Sequence, residues 1–304
     1  MDLKRIAVLM STYNGEKYIQ EQIDSILNQK GEFELDLWVR DDGSKDGTWT
    51  ILQNYVNEGK LRCHIGENLR PAHSFMDLIM HCSNYDFYAF ADQDDYWMPD
   101  KLERGIKAIG DQKKFVLYFS NVRLVDAELK DLGRNAYKKI PPTDFYTLSC
   151  AGGLLGCTMV FNEALAEVIR NRPVPQKIVM HDFYIALVCL ALNGDIIYEA
   201  EPSMKYRQHR ANVVGVSHSF LGKVKSRMRD ITRKAPVSIA EQAEAVLNAY
   251  GNEMDNKKTE WLQTVAEYKN GIVCKIQLAI SNRVKYINSN MGFKNRLAIL
   301  LGNR

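Results

Sequence analysis

No run of the 304-residue sequence is apolar for long enough to cross a membrane. The longest, residues 185–192, falls far below the roughly 20 residues that a bilayer requires. Residues 6–10 form an apolar stretch too short for the hydrophobic part of a signal peptide, because Ser11 and Thr12 follow at once. Cysteine is sparse and unpaired in pattern: the six, at 63, 82, 150, 157, 189 and 274, form no CxxC and lie mostly in apolar surroundings. That excludes a disulfide framework and a structural zinc site, and reads as reduced thiols in a core. Internal repeats and low-complexity tracts are lacking too. With 46% hydrophobic and 25% charged residues the composition is that of an ordinary globular protein with a substantial core, and the length allows one large domain or a domain with an appendage.

A net charge of +3 hides an asymmetry. Residues 217–304 hold 15 of the 40 Lys and Arg but only 7 of the 37 Asp and Glu, which leaves 25 against 30 for the rest. The body is acidic and the tail basic. An acidic body argues against a nucleic-acid-binding core, while a basic tail suits anionic lipid or an acidic partner.

Along the chain, short apolar strands alternate with amphipathic helices. Residues 6–10 read as a strand that runs into STYNGE, and Ile19, Ile23, Ile26 and Leu27 give the following helix one apolar face. Residues 35–39 form a second strand ending in RDDGSKDGT, with a helix from about Thr48 to Tyr55. A third unit runs from a strand near 61–65 through GENLRP to a helix near 72–81, and residues 87–91 are a strand buried on both faces. A helix at 101–109 and a strand at 115–125 come next, followed by 126–146, whose weak periodicity predicts a flexible or acceptor-side loop. After a Gly-containing approach, residues 157–161 predict a strand, Asn162 the cap of a helix, and 181–193 a helix opening with His-Asp-Phe. The alternation predicts right-handed crossovers and a mostly parallel, doubly wound sheet, with its ligand crevice at the carboxyl ends of the strands. Helices are expected at 217–233, from the Ser238–Glu241 capping box, over 256–270 and over 291–301.

Three of the predicted strands end in polar loops that must open onto this crevice. One carries Asp92, Asp94 and Asp95. Carboxylates so close repel each other, and a hard divalent cation would relieve the repulsion; alone, the same residues would equally serve as a solvated acidic turn. Asp42, Ser44, Asp46 and Gly47 imitate the start of an EF-hand loop, but Gln53 at the twelfth position has no carboxylate and a strand, not a helix, precedes them. Calcium is therefore rejected. In a strand-to-loop turn, Asp42 could accept a hydrogen bond from the imide N–H of uracil or thymine, or the Asp-Gly pair could simply make the turn. Trp97 is placed either to stack on an acceptor sugar or to fill a core.

STYNGE, VRDDGSKDGT and FADQDDYWMPDKL, in that order and spacing, resemble the family 2 inverting glycosyltransferases of the GT-A fold, over roughly residues 4–215. ADQDDYW together with the later YRQH and NVVG is most similar to bacterial rhamnosyltransferases of cell-wall and capsular polysaccharide. The resemblance implies a catalytic GT-A domain over 1–216 and a basic helical extension over 217–304. It implies that Ser11, Tyr13, Asn14 and Glu16 surround the nucleoside, that Asp42 beside Gly43 reads the base, and that Asp92 meets the ribose or a metal-bound water. Asp94 would bind Mn²⁺ or Mg²⁺, with His209 completing the metal shell and Arg207 holding the diphosphate. Asp182 matches the catalytic base, and its place at a helix start favours the ionised form. His181 stands where many members have an acid, and with Asp95 and Trp97 it is assigned to the acceptor side.

The expected activity is transfer of L-rhamnose from dTDP-rhamnose to a lipid-linked glycan on the cytoplasmic side of a bacterial membrane. Residues 217–233, with Phe220, Leu221, Val224, Met228 and Ile231 on one face and Lys and Arg on the others, would touch the anionic membrane or form a homodimer interface. Nucleic acid is not an expected partner. The rivals are a transferase using a UDP-hexose, a nucleotidyltransferase and a sugar-nucleotide-binding module without turnover. A nucleotidyltransferase would place Gly, Arg and Lys directly after the first strand, whereas STYNGE offers one Gly and no Arg.

Overall fold

The computed structural model describes residues 3–209, 235–285 and 289–304, so the expected basic helix over 217–233 and the NVVG stretch lie outside the described residues. β1 (Lys4–Thr12) shows how the sequence generates the layers. Successive strand side chains point to opposite faces. Ile6, Val8 and Met10 accordingly pack with Ile19, Ile23 and Ile26 of α1 (Ile19–Leu27) and Leu52 of α2 (Thr48–Asn57). Ala7 and Leu9 turn to the other face, against Phe75 and Leu78 of α3 (Arg70–His81). An uninterrupted apolar run is what a strand covered on both sides requires.

β2 (Phe33–Asp41) and β4 (Phe87–Ala91) pair in parallel with β1, and β3 (Arg62–Ile65) pairs in parallel with β2. The register sets Thr12 beside Asp41 and Met10 beside Ala91. The loops that leave these three strands therefore start level, on one edge of the sheet.

The second half departs from strict alternation. It comprises β5 (Tyr96–Trp97), α4 (Lys101–Ile109), β6 (Val116–Val125), β7 (Asp131–Asn135), α5 (Phe145–Ala151), β8 (Val160–Asn162), α6 (Glu163–Arg170), α7 (His181–Ala191) and β9 (Asp195–Arg207). The strand order is β3-β2-β1-β4-β8-β6-β9-β5, with β7 on β6. β8 runs antiparallel between β4 and β6, and β9 runs parallel to β6, so the sheet is mixed. Two local expectations change accordingly. The segment at 126–146 folds back on β6 as β7, and residues 156–158 form a 3₁₀ turn before the shorter strand β8. Asn162 does cap α6, its side chain accepting from the Leu165 amide at 3.3 Å.

Ser238 and Glu241 form the expected capping box of α8 (Ile239–Tyr250), and α9 (Asn256–Ala266), α10 (Ile272–Ile280) and α11 (Ser289–Leu300) follow. These helices pack on the sheet face that carries α7: Ile239, Val246, Trp261, Leu278 and Ile299 share one apolar cluster with Phe183 and Leu187. The Trp261 indole N–H donates to Ser149 Oγ at 2.8 Å, which satisfies the polar end of a buried ring. α7 is apolar all round because it is covered all round; only Asp182 escapes full burial. Among the described residues no helix is long and apolar enough to cross a membrane.

Candidate active site

A parallel sheet takes its ligands beyond the carboxyl ends of its strands, where the loops converge. Here the loops after β1, β2 and β4 meet in a cleft of about 500 Å³. Ser11, Tyr13, Asp42, Asp92, Asp94, His181 and Asp182 all line it. Seven residues picked out of the sequence, spread over 170 positions, thus share one cavity, with Asp94 and Asp182 among them.

The floor is fixed by hydrogen bonds between loops. Asn14 adopts a left-handed conformation (φ 50°), which asparagine tolerates better than most residues. Its amide donates to Ser44 Oγ at 2.9 Å and its Oδ1 accepts from the Lys45 amide at 2.8 Å. Glu16 accepts from the Gly47 amide. Asn14 and Glu16 therefore tie the first loop to the second, outside the lining of the cleft. Gln93 ties the first loop to the third: its Oε1 accepts from Thr12 Oγ1 at 2.6 Å and the Tyr13 amide at 2.9 Å, and its Nε2 donates to the Tyr13 carbonyl at 3.1 Å. Gly43, at φ 78°, makes the turn beside Asp42. Asp42 is almost wholly buried and ion-paired with Arg40, which also donates to Asp77 Oδ2 at 2.9 Å and to the Glu67 carbonyl at 3.0 Å. A buried carboxylate of this kind needs such a partner.

The acids on the other side are crowded. Burial raises the pKa of Asp92, and the charges of Asp94 and Asp182 raise it further. Asp95 is pushed well up by burial and by Asp94 and Asp92; one of its oxygens accepts from the Arg207 amide at 3.1 Å and the other has no hydrogen-bond partner among the described residues. His209 Nε2 sits 2.7 Å from Asp94 Oδ2. Oxygen ligands from Asp92 and Asp94 with an imidazole beside them fit Mn²⁺ or Mg²⁺ better than a soft ion. Cys157 lies within reach of Asp92 and Asp95 as well, but burial pushes its thiol well up, and a protonated thiol is a poor ligand for a hard cation. On donor chemistry, Asp94, Asp92 and His209 would suit a hard cation, whereas among the described residues the three ligand groups within 4.8 Å of one another are those of Asp92, Asp95 and Cys157.

Asp182 is the second residue of α7. Its Oδ1 accepts from the Phe183 amide at 2.6 Å and its Oδ2 from the Gly156 amide at 3.1 Å. Burial nevertheless pushes its carboxyl up to about 6, since the helix start only partly offsets desolvation. His181 faces the same cleft as a neutral ring: burial lowers it to about 3, it stacks on Phe75 with centroids 4.0 Å apart, and neither ring nitrogen has a hydrogen-bond partner among the described residues.

Several assigned residues lie elsewhere. The Arg207 guanidinium is directed into the protein, donating to the Asp94 carbonyl at 2.8 Å, to the Ala127 carbonyl and to Glu21, so it braces the loop that carries Asp94 from beneath instead of facing a diphosphate. Trp97 is 1% exposed, with Lys101 Nζ 4.0 Å above its ring, which leaves no face for a sugar. Asp95 is equally buried. The cleft adds Asn68, Arg70, Gln93, Cys157 and Tyr206, none of them singled out beforehand. Arg70 had a signal: a cation in the GENLRP loop, at the start of a helix whose first turn faces the crevice.

A second cavity, of about 580 Å³, shares Leu155, Met180, Asp182 and Tyr206 with the first. Its other walls include Tyr137, Gly153, Phe183, Ile239, Asn303 and Arg304. Asp182 thus stands in the wall between the acid-lined cleft and a more apolar cavity.

A sheet of this topology with acids at its carboxyl edge defines a glycosyltransferase of the GT-A fold. Residues 7–169 match the family model described as glycosyl transferase family 2. The dTDP-rhamnosyl transferase RfbG of Shigella flexneri is 31% identical over 228 residues, 71% of this chain and 77% of that protein. Among solved structures, residues 1–349 of TarS from S. aureus in complex with UDP-GlcNAc superpose with a TM-score of 0.53 at 18% identity, covering 92% of this chain and 82% of that one. The mannosyltransferase PcManGT of Pyrobaculum calidifontis, in complex with GDP-Man and Mn²⁺, gives 0.51 at 17% identity, covering 100% and 86%. The chain belongs to glycosyl transferase family 2.

Proposed function

We propose that the protein is an inverting, divalent-cation-dependent rhamnosyltransferase that moves L-rhamnose from dTDP-rhamnose to a lipid-linked glycan in the synthesis of a bacterial surface polysaccharide. The observation that carries this reading is the single cleft shared by Asp94 and Asp182. The likeness to a dTDP-rhamnosyl transferase supports the choice of donor.

The nucleotide occupies the loops after β1 and β2, where Asp42, held by Arg40, accepts the N3 imide hydrogen of thymine, and Ser11 and Tyr13 border the nucleoside. Arg70 adds positive charge on the cleft wall for the diphosphate. Asp94, with Asp92 and His209, would hold the cation, which when bound offsets the charge of the departing diphosphate. Asp182 accepts the proton of the acceptor hydroxyl while the oxygen forms its bond to the anomeric carbon. The bond from that carbon to the β-phosphate oxygen breaks on the opposite face, and the nucleoside diphosphate leaves with the electron pair. One displacement of this kind inverts the anomeric centre. The acceptor occupies the second cavity, from which Asp182 is reached on the side away from the nucleotide loops.

Incubation with Mn²⁺ and dTDP-rhamnose, UDP-glucose or UDP-galactose, with nucleotide release as the readout, tests the reading. Release from dTDP-rhamnose alone is expected. Release confined to a UDP-sugar would replace the donor, and binding of donor without release in the presence of acceptor lipid would leave a binding module.

A further inference from the structure

α10 is built against the usual pattern of a surface helix. Its inner side, with Leu278 and Ala279, is buried in the core, yet Ile272, Val273 and Ile280 on the outer side are 64%, 62% and 64% exposed, and Ile276 is 42% exposed. At 100° per residue these four fall within one stripe about 100° wide. Phe293 of α11, the helix that packs against α10, is 67% exposed as well. A soluble surface scatters such residues singly; a contiguous set marks a contact.

The charge along this part of the sequence is of one sign. Residues 268–304 contain seven Lys and Arg and no Asp or Glu. Arg283 and Lys285 follow α10 directly and are exposed. Bulky aliphatic and aromatic side chains in a stretch whose charged side chains are all cationic complement an anionic lipid headgroup layer above acyl chains. A second copy of this chain would bring like charges together.

We infer that the outer face of α10, with Phe293 of α11, is the surface by which the protein docks on an anionic membrane. The stripe is distinct in sequence from the basic segment at 217–233, which lies outside the described residues. The same helices lead to the acceptor side of the active site: α11 runs on to Asn303 and Arg304, which wall the second cavity, and the Arg304 guanidinium donates to the Ala151 carbonyl at 2.9 Å. Docking through α10 thus sets a cavity suited to a lipid-linked acceptor close to the bilayer that holds it. In this respect the inference rests on the lipid-linked acceptor proposed above.

Sedimentation of the full chain with vesicles of phosphatidylcholine, alone or mixed with phosphatidylglycerol, tests it. Binding to the mixed vesicles only is expected, weakening as NaCl rises from about 0.05 to 0.5 M. Ile276→Glu with Ile280→Glu should lower that affinity at least about tenfold, and Lys285→Glu severalfold. Both sites are exposed, so circular dichroism and nucleotide release with a water-soluble acceptor analogue should be unchanged. Vesicle binding that ignores the double substitution, or no binding by the unaltered chain, overturns the inference. So does a dimer seen by ultracentrifugation without lipid that the double substitution dissolves. Loss of nucleotide release in the unaltered chain would sink the transferase reading while leaving vesicle binding as measured.

Discussion

His209 Nε2 lies 2.7 Å from Asp94 Oδ2, although 115 residues separate them in sequence. They meet because His209 comes two residues after the end of β9 and Asp94 three residues after the end of β4, both at the same edge of the sheet. The pair makes a specific demand on a metal-binding role. Asp94→Asn should abolish Mn²⁺-stimulated nucleotide release, whereas His209→Ala should leave activity that needs about 10- to 100-fold more Mn²⁺, the usual cost of losing a supporting ligand. A metal titration of both variants decides it; equal Mn²⁺ requirements in His209→Ala and the unaltered protein would remove His209 from the site.

Asp182→Asn keeps the shape but only one of the two backbone hydrogen bonds, since its NH2 cannot accept, and it cannot take a proton. Turnover should fall about a hundred- to ten-thousandfold, with the donor dissociation constant, measured by calorimetry, almost unchanged. A large loss of donor affinity instead would make Asp182 a binding residue.

The pH profile follows from burial. Asp182 has a folded pKa of about 6, raised by desolvation, so the acid form predominates below that value and the base is lost. The plot of log kcat/KM should therefore rise with unit slope up to about pH 6 and level off above it. In Asp182→Asn that limb should vanish from the residual rate.

Arg40 and Asp42 are both almost inaccessible to water and neutralise each other inside the protein. Arg40→Met leaves the Asp42 charge buried and should cost about 3–5 kcal/mol in denaturant unfolding. Adding Asp42→Asn to that variant should restore part of the loss while leaving donor binding weak, which separates the structural role of the pair from base recognition.

Arg70 has a positive φ of 62°, a conformation costly for a residue with a side chain, and it lines the cleft. Arg70→Ala should raise the KM for the nucleotide-sugar about tenfold, the scale of one charge-assisted hydrogen bond, with stability unchanged, since alanine keeps the β-carbon that makes this φ costly. An unaltered KM would place the guanidinium outside the donor's reach.

The parallel half of the sheet was legible because each strand is a short apolar run and each helix repeats its apolar residues at helical spacing, as Ile6 to Met10 and Ile19 to Ile26 illustrate. The acids were legible for the same reason: a strand assignment fixes which loop lies at the carboxyl edge. Orientation was not. Trp97 and Arg207 carry the side chains expected of sugar and phosphate contacts, and only the three-dimensional packing shows that Lys101 covers the one and that Glu21 and two carbonyls hold the other. β8 escaped full recognition because three residues are too few to establish a period. α10 gave no boundary because Gly271, at its start, has no side chain to cap it. The second cavity draws its walls from segments as distant as 124 and 304, a combination that no local pattern encodes.

Gly156 gives its amide hydrogen to Asp182 Oδ2, and a β-carbon added to it would sit 2.7 Å from His181 Nε2 and 3.0 Å from Asp182 Cβ. The backbone comes this near to the proton acceptor only because glycine offers nothing to keep them apart. Even alanine would have to displace the His181 ring or the Asp182 side chain. If Asp182 is the proposed base, the space a single missing methyl group leaves here governs where that base stands, and Gly156→Ala is expected to lower turnover.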